Sequence, residues 1–300
     1  MKPNPTEWKF PVLAGVIFES SNFDVKAVRE LSDAEQAKIE EYTKVGAHAR
    51  NRFKLFAILR RNYEQWGNYV RSLLTPTKDL VEDEMLELDR LLLNFQSSAK
   101  SVIDHFRQDW IQVHRGSPDE VKFQECLQHL ESSSWAFAFF QDLRNFTQHC
   151  GLPVGNYSRN VDASSVRLSI EADSRWLVER YKKWDKSRLK EGDGRLDLIN
   201  LTDDYYIRLS HDFANFVAQA FAPTLFDAHN FFAGLANEVS DRFPGAEYKI
   251  VQGIRINGNK LTFDFGTPPA NLLGWLGISV AERPVDGCNQ TNEEGTSHVL

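Results

Sequence analysis

Arg144, Asn145 and His149 stand within Leu143-Arg144-Asn145-Phe146-Thr147-Gln148-His149, immediately before Cys150-Gly151-Leu152-Pro153. An arginine grips a phosphoryl group with a bidentate fork, and a histidine moves a proton near neutral pH. Together these are the tools needed to break an RNA strand without a metal. On a helix, Asn145 and His149 are four apart and share a face, and Arg144 sits about 100° round from Asn145. All three can then line one side of a groove. Gly151 is placed as a helix C-cap and Pro153 prevents continuation. The trio therefore falls where a helix stops and a ligand can approach.

A loose spacing of arginine and histidine means little alone, and it recurs at Arg107 and His114. Of these two spacings, only the one at Arg144 has an asparagine directly after its arginine. Structural readings stand beside the chemical one. A histidine in a last turn is favourable against the helix dipole, and Arg144 could pair with Asp142 or with an acid of another helix. Cys126, Cys150 and Cys288 form no CxxC pair, and no His/Cys pair of ligand spacing joins His149-Cys150. No metal and no cofactor is expected. Hydrolase Gly-x-Ser-x-Gly and phosphate-binding glycine patterns are absent.

The elements that must position the trio are mostly helical. Ser32-Asp33-Ala34-Glu35 is a capping box. After it Ile39, Tyr42, Gly46, Ala49, Phe53, Phe56, Tyr63, Trp66, Val70 and Leu73 follow a near-heptad stripe until about Pro76. A second stripe (Val81, Met85, Leu88, Leu92, Phe95, Ala99, Val102, Phe106, Val113) predicts a helix from about Asp79 to His114. Repeats of this kind mark long helices packed nearly antiparallel. Ser117-Pro118-Asp119-Glu120 predicts the start of the next helix. Ser132-Ser133-Ser134 kinks or restarts it, ahead of the apolar run Trp135–Phe140.

Elsewhere, Phe10, Val12, Ala14, Val16 and Phe18 alternate as a strand over 9–19, and Val166, Leu168 and Ile170 predict another. Residues 174–190 look helical, followed by a Gly192-Asp193-Gly194 turn. Helices are expected at about 202–221 and 224–242, divided by Pro223. Residues 248–256 and 261–265 around Asn257-Gly258-Asn259 predict a β-hairpin. The fold class expected is mainly α, a helical bundle with two long antiparallel helices plus a smaller α+β C-terminal part. The expected division is an N-terminal strand segment (1–31), the bundle (32–157), a C-terminal α+β region (158–282) and a disordered tail (283–300).

Composition sets limits. The chain has 300 residues, is 42% hydrophobic and 12% aromatic, and so can fill a substantial core. It reads as globular and cytoplasmic, with no signal-like start and no run near the ~18 apolar residues of a membrane span. The net charge of −7 argues against a general nucleic-acid coat, but the bases are clustered. Between Thr43 and Asn62 there is no acid, while Lys44, Arg50, Arg52, Lys54, Arg60 and Arg61 occur. Between Arg175 and Lys190 a second basic run, including Arg180 and Lys183, is interleaved with Trp176, Tyr181 and Trp184. Either run can border an RNA groove, because bases stack on aromatics while cations meet phosphates, or can be an ordinary solvated face.

Arg144-Asn145-x-x-x-His149 in a bundle of long helices resembles the HEPN superfamily (higher eukaryotes and prokaryotes nucleotide-binding), and the segment Leu93–His105 resembles what precedes that motif in bacterial HEPN-like proteins. The resemblance covers roughly residues 32–155. It implies a metal-independent endoribonuclease whose site is shared by two chains, of the kind found in abortive-infection, toxin and antiviral-defence proteins. Carried over, His149 handles protons, Arg144 stabilises charge on phosphorus and Asn145 orients either. Asp104 and His105 are candidates to support them from the facing helix. With one good motif per chain the resemblance requires a homodimer, with RNA as substrate and an antitoxin or regulatory protein as a further partner. A catalytically silent HEPN-like module that binds RNA, nucleotide or a protein is the alternative, and an unrelated helical scaffold is a third.

Overall fold

The computed structural model describes residues 9–19, 22–74, 80–161, 166–182, 184, 189, 194–257 and 260–266. Helix dominates, with two small antiparallel sheets. The chain divides into two compact units, residues 1–46 with 225–300, and residues 47–224. The expected boundary at 157/158 falls inside a strand, and the N-terminal segment joins the end of the chain instead of standing apart.

In the first unit, β1 (Val12–Glu19) and β2 (Asn22–Glu30) form a hairpin where one strand was expected. β1 also pairs with β6 (Glu247–Asn257), Val12 opposite Val251 and Val16 opposite Glu247. β6 turns into β7 (Lys260–Gly266), so the predicted C-terminal hairpin forms and the sheet order is β2-β1-β6-β7. Val12, Leu13, Ala14, Val16, Ile250 and Val251 are buried. Gly15 lets the end of the last helix and the segment after it come close, because a Cβ there would lie 3.1 Å from Val239 and 3.0 Å from the Ala246 Cβ. The Ser32 capping box opens the first helix as its sequence predicts. The Ser32 hydroxyl accepts from the Glu35 N–H (3.3 Å) and the Glu35 carboxylate accepts from the Ser32 N–H (2.9 Å). Arg29 clamps Glu35 and Glu238 with its whole fork. The same bonds hold the Glu35 carboxyl down at about 2.

The second unit holds the bundle. Helix α1 (Asp33–Ser72) enters it after Gly46 and runs antiparallel to α2 (Glu82–His114). Arg52 meets Asp109 near one end of the pair, and the Asn62 side chain donates to the Asn94 carbonyl further along. Trp66, Leu88, Leu92, Phe95, Val102 and Phe106, from the two stripes, are almost wholly buried. Helix α3 (Lys122–Ser133) begins later than Ser117-Pro118 suggested. Residues 117–120 form turns instead, with the Trp110 indole N–H held on the Asp119 carbonyl at 2.8 Å. Ser134 separates α3 from α4 (Trp135–His149): its hydroxyl caps the Phe137 N–H at 3.1 Å and donates to Asp204 at 2.9 Å.

Beyond α4, β3 (Asn156–Val161), β4 (Val166–Asp173) and β5 (Arg195–Asp197) form a three-stranded antiparallel sheet, of which only the middle strand was expected. Helix α5 spans Ser174–Arg180 and ends at Tyr181, so one helix over 174–190 is not formed. Helix α6 (Leu198–Ile207) continues through a π-helical turn (Arg208–Phe213) into α7 (Ala214–Arg242), which keeps Pro223 inside it. The break expected at Pro223 is absent, since Leu225 and Val217 on either side are fully buried and packing outweighs the lost backbone bond. The tail 283–300 lies outside the described residues.

Candidate functional site

The last two turns of α4 carry the motif. Leu143 and Phe146 are wholly buried and anchor that end of the helix. Phe146 packs against Phe-facing Trp176 of α5, with ring centroids 5.1 Å apart and edge to face. With the anchor on one side, Arg144 and Asn145 are half-buried and His149 is exposed. They occupy an arc of roughly 140° on the side away from the anchor. The helix then stops: the Cys150 N–H makes the last bond to the Phe146 carbonyl at 2.8 Å, and Gly151 takes φ +140°, as a residue without Cβ can.

The hydrogen bonds around the trio are few. Asn145 Nδ2 reaches back to the Gln141 carbonyl at 3.4 Å. Thr147 Oγ1 lies 2.9 Å from the Arg144 carbonyl and 3.3 Å from Gln96 Oε1 of α2. A hydroxyl has one hydrogen, and the shorter contact claims it. Gln96 is 3% exposed and its Nε2 has no partner. Turning the amide end for end lets Nε2 donate to Thr147, and hydrogen-bond accounting favours that orientation. Among the described residues no ion pair or hydrogen bond reaches the Arg144 guanidinium; the suggested pairing with Asp142 is not formed.

The supporting candidates on α2 are elsewhere. Asp104 pairs with Lys100 at 2.6 Å on an exposed surface. His105 is nine residues beyond Gln96, hence on roughly the opposite side of α2. Its Nδ1 lies 3.3 Å from Arg52 Nη1 of α1, so His105 belongs to the α1–α2 seam and not to the motif. Arg52 is likewise no open cation: it is bound to the buried Asp109 carboxylate, which also meets His48 Nε2 at 3.0 Å. Arg50, Arg60 and Arg61 are exposed, with Arg60 3.6 Å from Glu64. Of the second arginine–histidine pair, Arg107 Nε is buried without a hydrogen-bond partner and the His114 ring lies 4.3 Å from the Trp110 ring.

Of the second basic run, Trp176 and Arg180 come to the motif. The Cys150 thiol faces the Arg180 carbonyl at 3.6 Å. Lys183 lies outside the described residues. Sequence reasoning named both residues but could not place them against α4, because nothing local links residue 150 to residue 180.

An open groove of about 420 Å³ between α1 and α2, lined by Asn68, Tyr69, Ser72, Glu87 and Arg90 among others, takes no residue from α4. Among the described residues, no group of three or more His, Cys, Asp or Glu could hold a metal ion, and no helix is long and apolar enough to cross a membrane. The chain matches no protein-family model, and neither the curated proteins nor the solved structures provide a match.

Proposed function

We propose that this protein is a HEPN-type endoribonuclease that cleaves RNA without metal at a site shared by two copies of the chain. The observation that carries the reading is the Arg144 guanidinium, which has no anionic partner among the described residues and shares the end of α4 with the exposed His149. A cation held next to a proton-transfer group at a helix end suits a phosphodiester. In the reaction, one histidine takes the proton of the ribose 2′-hydroxyl, the 2′-oxygen attacks phosphorus and the bond to the 5′-oxygen breaks. The departing oxygen is protonated by a second histidine, leaving a 2′,3′-cyclic phosphate and a 5′-hydroxyl. Arg144 stabilises the charge gathered on the phosphoryl oxygens. With one such motif in each chain, the second histidine comes from a second copy related by a two-fold axis. A defence or toxin role, restrained by an antitoxin or regulatory protein, follows from the resemblance.

The full chain incubated with labelled RNA in EDTA tests the reading. Arg144→Ala and His149→Ala are each expected to lower cleavage by about 10²–10⁴-fold while the fold is kept. Cleavage that survives both substitutions overturns the proposal. RNA binding with no cleavage by the parent chain favours the silent module, for which the single motif per chain is the supporting observation.

A further inference from the structure

We infer that Arg180 and Lys182 extend the α4 site as a phosphate-binding edge, holding the RNA strand beside the scissile bond. The inference rests on the proposed ribonuclease reading for the identity of the polyanion, and on the α4–α5 packing for the residues.

Two contacts fix how α5 lies against the motif helix. Trp176 meets Phe146 edge to face at 5.1 Å, and the Arg180 carbonyl faces the Cys150 thiol at 3.6 Å. On a helical projection Trp176 and the buried Leu177 lie about 100° apart, and Arg180 falls between them. Arg180 therefore projects on the α4 side of α5, level with the residue that follows His149. Arg175 falls about 100° from Trp176 on the other flank, near Glu179, which is four residues on. Lys182 follows Arg180 after the helix has ended at Tyr181, and both cations are exposed.

Two helix C-termini thus meet at this point, α4 at Cys150 and α5 at Tyr181. Their free carbonyls are partly negative, so an anion would be repelled unless cations outnumber them. Arg144, Arg180 and Lys182 supply that excess. A strand that seats one phosphate at Arg144, beside His149, meets further cations at the end of α5 and just beyond it, with the Trp176 ring packed on Phe146 next to them. Arg50, Arg60 and Arg61 are carried on α1, and among the described residues no hydrogen bond or ion pair joins them to α4 or α5.

The test uses the full chain made cleavage-silent by His149→Ala, and a fluorescent single-stranded RNA 12-mer read by anisotropy between about 50 and 200 mM salt. Adding Arg180→Gln and Lys182→Gln is expected to weaken binding about tenfold. It should also flatten the slope of log affinity against log salt by about 1.4, the loss of two single-strand phosphate contacts. Arg175→Gln should stay within about twofold of its parent, as a cation on the other flank. The inference is overturned if the double substitution has no effect, if Arg175→Gln weakens binding as much, or if substituting Arg50, Arg60 and Arg61 accounts for the affinity instead. Cleavage by the unsubstituted chain is scored separately. Salt-sensitive binding through Arg180 without cleavage removes the ribonuclease reading alone, and cleavage indifferent to Arg180 and Lys182 removes this inference alone.

Discussion

Arg52 of α1 and Asp109 of α2 meet fork to fork, Nε to Oδ2 at 2.5 Å and Nη2 to Oδ1 at 2.9 Å, with Asp109 only 6% exposed. Each belongs to an i,i+4 pair facing the other helix: His48 with Arg52, and His105 with Asp109. Because a carboxylate only accepts and a guanidinium only donates, His48 gives its Nε2–H to Asp109 and His105 accepts at Nδ1 from Arg52. The quartet fixes the register of the two long helices.

Removing Asp109 or Arg52 leaves the other's charge without its partner in a part-buried seam. Asp109→Ala is expected to cost about 3 kcal/mol, whereas the paired change Arg52→Met with Asp109→Leu should recover most of that loss. Chemical denaturation of the full chain measures both. A single substitution costing less than about 1 kcal/mol would sink the claim that this pair locks α1 to α2.

Acid should loosen the first unit through Glu35. Its folded carboxyl is depressed to about 2 by the Arg29 fork, so its contribution is fully present above the ordinary carboxylate range and is lost as pH falls through about 2. Glu35→Gln is expected to be about 1–2 kcal/mol less stable than the parent at pH 7. That gap should close at pH 2 and below. An equal gap at both pH values, read from thermal unfolding, would refute the assignment.

Gly151 holds φ +140° with open space around a built Cβ, so an alanine there pays only in backbone strain. Gly151→Ala should cost about 1–3 kcal/mol and speed amide exchange over residues 147–150. Gly116→Ala, at φ +75° with equally open surroundings, serves as the comparison. It should be strained too, yet leave exchange at 147–150 unchanged. If both substitutions affect that segment alike, Gly151 is not the specific stop of the motif helix.

Gln96 offers a different kind of test. Replacing it with leucine removes a buried amide that Thr147 does not need, so stability should move by less than about 1 kcal/mol. Gln96→Glu puts a carboxylate in the same dry position and should cost about 2 kcal/mol or more. Equal effects of the two would contradict the burial and pairing assigned to the amide.

Much of the architecture is written in local patterns. The stripes from Ile39 to Leu73 and from Val81 to Val113 become α1 and α2, because a 3.5-residue repeat of apolar groups can bury only as a helix against a helix. Ser32 with Glu35, and Gly151 after Cys150, mark helix ends because their hydrogen bonds and backbone angles involve neighbours within a few residues. The hairpin of β6 and β7 is legible for the same reason. Less legible are β3 and β5, edge strands whose side-chain patterns are too brief or too mixed to separate from loop, whereas β2 does alternate at Phe23, Val25 and Ala27, a signal that sequence reasoning missed.

The sequence by itself determined the two long helices α1 and α2, the start of α1, the end of α4 and the placement of Arg144, Asn145 and His149 at that end. Each of these depends on periodicity or capping within a turn or two. Only the tertiary structure decided that β1 pairs with β6, that Arg52 is committed to Asp109, that His105 faces α1 and that Arg180 adjoins Cys150. It also decided that α7 continues through Pro223. These are choices between partners far apart in the chain. A cation or an edge strand carries no local mark of which partner will reach it, and burial of the whole core settles the matter.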